Sequence, residues 1–100
     1  AAAKAGIEGL GRSAAATYAA RGLRFNVVAP GLVDTPLAKR ITSSEKTLEV
    51  SRKMHPLGRI GVPGDVAEAI HYLLGQHSDW ITGQVLGIDG GLGATRAGAV

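Results

Sequence analysis

The chain has 100 residues, 45% of them hydrophobic and none of them Cys, and its 11 basic and 8 acidic side chains give a net charge of +3. That length holds one domain with a modest core, and the mixed composition excludes a disordered or collagen-like chain. The lack of Cys excludes a disulfide framework and a thiolate zinc site, and nothing reads as a signal peptide or membrane span, so a soluble cytoplasmic protein is expected.

From Ala1 to about Ala20, Ile7, Leu10, Ala14 and Tyr18 recur at helical spacing in an Ala-rich background, which predicts a long helix capped by Gly22. Gly6, Gly9 and Gly11 weaken that helix, so their expected use is close packing against a neighbouring layer. Phe25, Val27, Val28 and Ala29 then form an apolar run without alternation, the mark of a parallel strand buried on both faces, and Pro30 ends it. Helix, turn and buried strand make the second half of a βαβ unit, so the expected fold class is α/β.

Leu32 to Pro56 is polar and irregular, with a short helix predicted where Thr42 and Glu45 make a capping-box pattern and Leu48 anchors it. A segment of this kind, lying past the carboxyl end of a strand, is expected to act as a mobile lid. Pro63 suits a first helical position, Asp65 and Glu68 sit near the positive end of the dipole, and Val66, Ile70, Leu73 and Leu74 make one stripe, predicting a helix to about Gln76. Gln84 to Asp89 reads as a final short strand, and Gly90-Gly91 releases it into a Gly/Ala-rich tail expected to fray.

None of the three glycine clusters has a strand before it and a helix after it, so turn and packing roles are expected there rather than a dinucleotide fingerprint. His55, His71 and His77 lack metal-motif spacing and read as surface or supporting histidines, and no Ser lies in a nucleophile elbow. The basic residues are scattered with only two adjacent pairs, and aromatics make up 4% of the chain, so a solvated surface is expected, with neither nucleic acid nor membrane as partner. Lys4, taken alone, is a solvated residue of an Ala-rich helix.

Four stretches change that reading of Lys4. Ala1 to Gly6, Asn26-Val-Val-Ala-Pro-Gly-Leu-Val-Asp-Thr35, Pro56-Leu-Gly-Arg-Ile-Gly-Val-Pro-Gly-Asp-Val-Ala67, and Ile81-Thr-Gly-Gln-Val-Leu-Gly-Ile-Asp-Gly-Gly91 occur in order. Together they resemble the carboxyl-terminal part of a classical short-chain dehydrogenase/reductase, over Ala1 to about Leu92, and within the family most resemble 3-oxoacyl-carrier-protein reductases. The resemblance implies the carboxyl-terminal part of a Rossmann-type doubly wound parallel sheet, in the order helix, strand, lid, helix, strand. It implies an NAD- or NADP-dependent oxidoreductase that moves hydride between nicotinamide and a small carbonyl or secondary alcohol, and a homo-oligomer, dimer or tetramer.

In that family a Tyr stands four residues before a Lys on one helix, which places both on one face. Here the Lys is Lys4 and the Tyr would fall immediately before Ala1. An ammonium beside a phenol of ordinary pKa near 10 favours phenolate, so the pair can exchange a proton with substrate near neutral pH. The resemblance gives Lys4 a second task, holding the nicotinamide ribose hydroxyls. It also places Pro30, Gly31, Val33 and Thr35 against the nicotinamide, the Val33 backbone meeting the carboxamide.

Tyr18 and Tyr72 are no substitute for the missing Tyr, because Gly22 and Gln76 stand four places on. The glycine-rich coenzyme turn, the coenzyme-selecting residue and the catalytic Ser and Tyr all fall outside these residues. The expectation is therefore a partial single domain over 1–100, with 36–56 as its substrate lid, forming part of a longer oxidoreductase and inactive alone. The rival expectation is a non-catalytic oligomerisation or interaction fragment of the same fold.

Overall fold

The computed structural model describes residues 2–93. Its elements are α1 (Ala2–Tyr18), a 3-10 turn (Ala19–Arg21), β1 (Val27–Pro30), α2 (Lys39–Thr42), α3 (Glu45–Met54), α4 (Pro63–Leu74), a second 3-10 turn (Gln76–Ser78) and β2 (Val85–Ile88). Val27 N–H donates to Gln84 O at 2.9 Å, and Gly31 N–H donates to Ile88 O at 3.0 Å. The partners advance together along both strands, so β1 and β2 form a parallel pair. The α/β class expected from the sequence is the one observed. Beyond Gly93 the tail expected to fray lies outside the described residues.

Two units divide the chain: one joins the residues up to Val28 to Ala69–Leu86, and the other joins Ala29–Glu68 to the stretch from Gly87. In the first, the 3-10 turn that follows α1 ends where Gly22 turns left-handed at φ 75°, its N–H donating to Ala19 O at 3.0 Å. Ala15 is the buried residue of α1. A Cβ at Gly11 would stand 2.6 Å from Val27 Cγ2, and one at Gly83 would stand 3.5 Å from the Ala15 methyl. Close packing is therefore real at Gly11. At Gly6 and Gly9 a Cβ would meet nothing within 4 Å among the described residues.

The same unit is tied by side chains that bond to backbone. Asn26 Nδ2 donates to Ile81 O, Gln84 N–H donates to Asn26 Oδ1, and Phe25 N–H donates to Thr82 Oγ1, each at 3.1 Å. Arg24 donates to Ser78 O at 2.8 Å, Ile81 O at 3.1 Å and Gly75 O at 3.1 Å, so one guanidinium serves the carbonyls that follow α4. A cation suits that negative end of the helix. Ser78 is 1% exposed, with its hydroxyl 2.8–3.0 Å from the carbonyl oxygens of Tyr72, Leu73 and Gly75. Arg24→Met is expected to lower stability by roughly 1.5–2 kcal/mol, near the low end for hydrogen bonds from a charged donor because water reaches this half-buried site. Urea unfolding midpoints of the two proteins would measure it.

In the second unit, α2 and α3 pack on one another, and Ala38, just before α2, is buried. The capping box expected at Thr42 does not form. Thr42 is the last residue of α2 and its hydroxyl bonds back to Ala38 O at 3.3 Å, whereas Ser44, extended at φ −98° and ψ 130°, is the N-cap of α3. The Ser44 carbonyl accepts from Leu48 N–H at 2.9 Å, and no side-chain cap bond is present. Pro63 opens α4 as expected, and the helix closes at Leu74 rather than Gln76.

The strands are less buried than their composition predicts. Val27, Val28 and Ala29 are half-buried and Pro30 is exposed, and β2 is exposed at Leu86 and Gly87. Among the described residues the buried apolar side chains are Ala15 and Ala38, while Trp80 is 96% exposed and Leu37 90%. No helix among the described residues is long and apolar enough to cross a membrane.

Candidate active site

The turn after β1 is built by backbone pairing within the second unit. Val33 and Gly61 form an isolated parallel bridge, in which Gly61 N–H donates to Leu32 O and Asp34 N–H donates to Gly61 O, both at 2.9 Å. Those two bonds orient the peptide groups on either side of Val33. In a trans peptide the N–H and C=O point opposite ways, so once Leu32 O and Asp34 N–H face Gly61, the Val33 N–H and Val33 C=O face away from it. Among the described residues neither has a hydrogen-bond partner. A half-buried peptide donor and acceptor left open side by side is a site for a group that both accepts and donates.

Thr35 stands two residues on, half-buried, and its hydroxyl oxygen accepts from Ala38 N–H at 3.2 Å, leaving the hydroxyl proton free to donate. Gly31 is needed for closeness: a Cβ there would meet His55 Nε2 at 2.8 Å, Asp89 Cβ at 2.9 Å and Asp89 Cα at 3.1 Å. Gly31, Val33 and Thr35 thus lie on one loop, which Pro30 leads into as the last residue of β1. Lys4 belongs to the other unit, in the first turns of α1, with an exposed side chain.

Of the two roles expected for the histidines, surface or supporting, His55 takes the supporting one. It is 4% exposed; its Nδ1 lies 2.7 Å from Ser51 O, and Leu32 N–H donates to its Nε2 at 3.2 Å. An amide can only donate, so Nε2 carries the lone pair, and the proton sits on Nδ1 and is given to Ser51 O. His71 and His77 are exposed. Among the described residues no three His, Asp or Glu side chains are grouped to hold a metal ion.

A cleft of ≈ 370 Å³ borders this turn, with Leu32, Val33, His55, Arg59, Asp65 and Asp89 among its walls. Its charged groups are already engaged. Arg59 grips Asp65 through two bonds of 2.9 and 3.2 Å, and Val62 N–H donates to the same carboxylate at 2.8 Å. Asp65 reaches back to the residue before Pro63, which is the acidic half of a capping box. The Asp89 carboxylate accepts from Gly91 N–H and Gly93 N–H at 3.0 Å each, closing a turn in which Gly90 and Gly91 have φ of 59° and 93°. The open polar groups therefore lie on the Val33 edge rather than among the charged side chains of the cleft.

The bonds from Arg59 and, next, from the Val62 amide hold the Asp65 carboxyl below the usual carboxylate range, and the same contact raises Arg59. A depressed carboxyl contributes stability above its unfolded-state pKa, and that contribution is lost as pH falls through the lower folded value. Thermal melts from pH 6 downward should show wild type losing stability below about pH 4, while Asp65→Asn loses less over that interval. The difference should shrink in high salt, because the pair is solvent-exposed.

Residues 1–93 match the sequence profile of the family described as Enoyl-(Acyl carrier protein) reductase. The 3-oxoacyl-(acyl-carrier-protein) reductase FabG of Thermotoga maritima is 45% identical over 92 residues, covering 92% of this chain and 37% of that protein. An oxidoreductase of the short-chain dehydrogenase/reductase family from Burkholderia thailandensis superposes with a TM-score of 0.88 at 40% identity, over 95% of this chain and 38% of the other. The chain belongs to the short-chain dehydrogenase/reductase family. A 4-hydroxyisoleucine dehydrogenase complexed with NADH superposes with a TM-score of 0.91 at 28% identity, over 95% of this chain and 39% of that one. The fold is thus the Rossmann type of that family, and the chain spans about two fifths of the length of these short-chain dehydrogenase/reductase relatives.

Proposed function

We propose that these residues supply the carboxyl-terminal part of an NAD- or NADP-dependent oxidoreductase that moves hydride between nicotinamide and a small carbonyl or secondary alcohol. The observation that carries this reading is the open Val33 N–H and C=O, whose partners on either side are fixed by Gly61. A primary carboxamide presents one acceptor oxygen and an N–H donor, and so fits that edge. NADH in the 4-hydroxyisoleucine dehydrogenase relative gives the ligand class.

Bound there, a nicotinamide coenzyme would supply or take the hydride. In this chain, Val33 would donate to the carboxamide oxygen and accept from its nitrogen, Thr35 would add a hydroxyl donor, and Pro30 and Gly31 would shape the approach. Lys4 would hold the ribose hydroxyls and, through its positive charge, favour phenolate in a Tyr immediately before Ala1, the group that transfers the proton. The segment 36–56, which contains α2 and α3, would serve as a substrate lid within a partial domain. Without the catalytic Tyr and Ser these 100 residues would not turn over substrate.

Assembly into a cytoplasmic homodimer or homotetramer is part of the proposal. Trp80 and Leu37 offer exposed apolar area of the kind that association covers, and each of the two strands has one partner among the described residues. A purely non-catalytic interaction role accounts for those surfaces but leaves the matched donor and acceptor at Val33 without a purpose. The deciding experiment assays the gene product that carries these residues with both reduced coenzymes against a panel of carbonyls. Coenzyme oxidation that depends on the carbonyl is expected; absence of both turnover and coenzyme binding would overturn the reading in favour of the interaction role.

A further inference from the structure

We infer that His55 is a positioning residue for coenzyme recognition, an inference that rests on the reading of Val33 as the carboxamide contact. The imidazole is buried and both its nitrogens are used, one on each of two separate segments. Nδ1–H donates to Ser51 O near the end of α3, supplying one of the carbonyls that a helix end leaves without an intrahelical partner. Nε2 then accepts from Leu32 N–H, across 23 residues of sequence. The side chain also lies against Gly31, where the missing Cβ leaves room for it.

The consequence follows along the backbone. Gly31 N–H is held by Ile88 O, Leu32 N–H by His55, Leu32 O by Gly61 N–H and Asp34 N–H by Gly61 O. Each peptide group from Gly31 to Asp34 thus has one end fixed, and His55 provides the one anchor among the four that comes from a side chain. Removing it leaves Leu32 N–H without its acceptor and frees the 31–32 peptide to rotate; the Leu32 Cα then shifts, and Val33, held at Gly61 alone, no longer presents its N–H and its C=O together to one carboxamide. Because Ser51 lies on α3, the same imidazole ties the direction of that pair to the helix within segment 36–56.

A role limited to stability would affect folding alone. A positioning role also changes which nicotinamide analogue is preferred, because the Val33 pair distinguishes a carboxamide from an acetyl group that lacks the N–H donor. The test uses the gene product that carries these residues, titrated by fluorescence with NADH or NADPH, whichever wild type binds, and with the corresponding reduced 3-acetylpyridine dinucleotide. His55→Leu is expected to weaken carboxamide coenzyme binding by about ten- to a hundredfold, the range for a misaimed contact, and to lose most of the preference over the acetyl analogue. His55→Gln, whose amide oxygen can accept from Leu32 N–H, is expected to recover part of that preference. Melting temperatures of the folded variants separate the two effects. If His55→Leu melts lower yet keeps the wild-type preference, the inference is overturned while the coenzyme reading stands. If wild type binds neither dinucleotide, both fall together.

Discussion

Lys4→Ala, made in the gene product that carries these residues, is expected to lower kcat/KM by about 10²–10⁴, the usual contribution of a positioned proton-transfer system. The side chain is exposed on α1 and has no ion pair among the described residues, so the fold should lose less than about 0.5 kcal/mol. Separation of the two effects is what makes the variant informative. The charge argument adds a pH signature: without the ammonium, the phenol of the Tyr proposed to stand before Ala1 would return toward its ordinary pKa near 10, and the rising limb of the pH profile of kcat/KM for alcohol oxidation should move to higher pH. Loss of the proposed ribose contacts should also raise the coenzyme KM. Lys4→Arg keeps the charge but replaces a compact three-donor head with a planar fork, so it should retain the pH profile better than the coenzyme affinity. Lys4→Ala activity within a few-fold of wild type, with an unmoved profile, would remove Lys4 from the proposed machinery.

What could be read in advance was what local rules determine. Ala-rich periodicity gave α1, a glycine just past it gave the left-handed residue that closes the following 3-10 turn at Gly22, and Pro63 with Asp65 gave the start of α4. The capping box failed where two local rules compete, because the Thr42 hydroxyl reaches its own helix at Ala38 O while Ser44 is already extended for the N-cap. Arg24, Ser78 and His55 were illegible for a different reason. Their partners are backbone groups, some as distant as 57 residues in the chain, and backbone carbonyls carry no residue-type signal. For His55 the available cue was negative: without metal spacing, a histidine between a helix end and Pro56 can be either surface or buried, and only the position of Leu32 decides. The open edge at Val33 was reached through resemblance and not from residue type, because it depends on the bridge to Gly61.

Gly31→Ala should damage both stability and coenzyme binding. The added methyl would sit 2.8 Å from His55 Nε2, 2.9 Å from Asp89 Cβ and 3.1 Å from Asp89 Cα, all closer than ordinary contact. Gly31 does not have a positive φ, so crowding rather than backbone strain is the cause. Overpacking of this kind costs about 1–3 kcal/mol, and the upper half of that range is expected because one of the three atoms is main chain. The Asp89 backbone cannot withdraw cheaply, since its carbonyl accepts from Leu92 N–H and its carboxylate holds Gly91 and Gly93. The turn must then move instead, carrying the Val33 edge with it, and coenzyme affinity should fall by about a hundredfold for a displacement near 1 Å. Combining Gly31→Ala with His55→Ala separates the neighbours. The double variant should recover only the part of the crowding due to the imidazole, leaving it less stable than His55→Ala alone in urea unfolding. Equal stability of those two proteins would place the crowding wholly on the imidazole and exonerate Asp89.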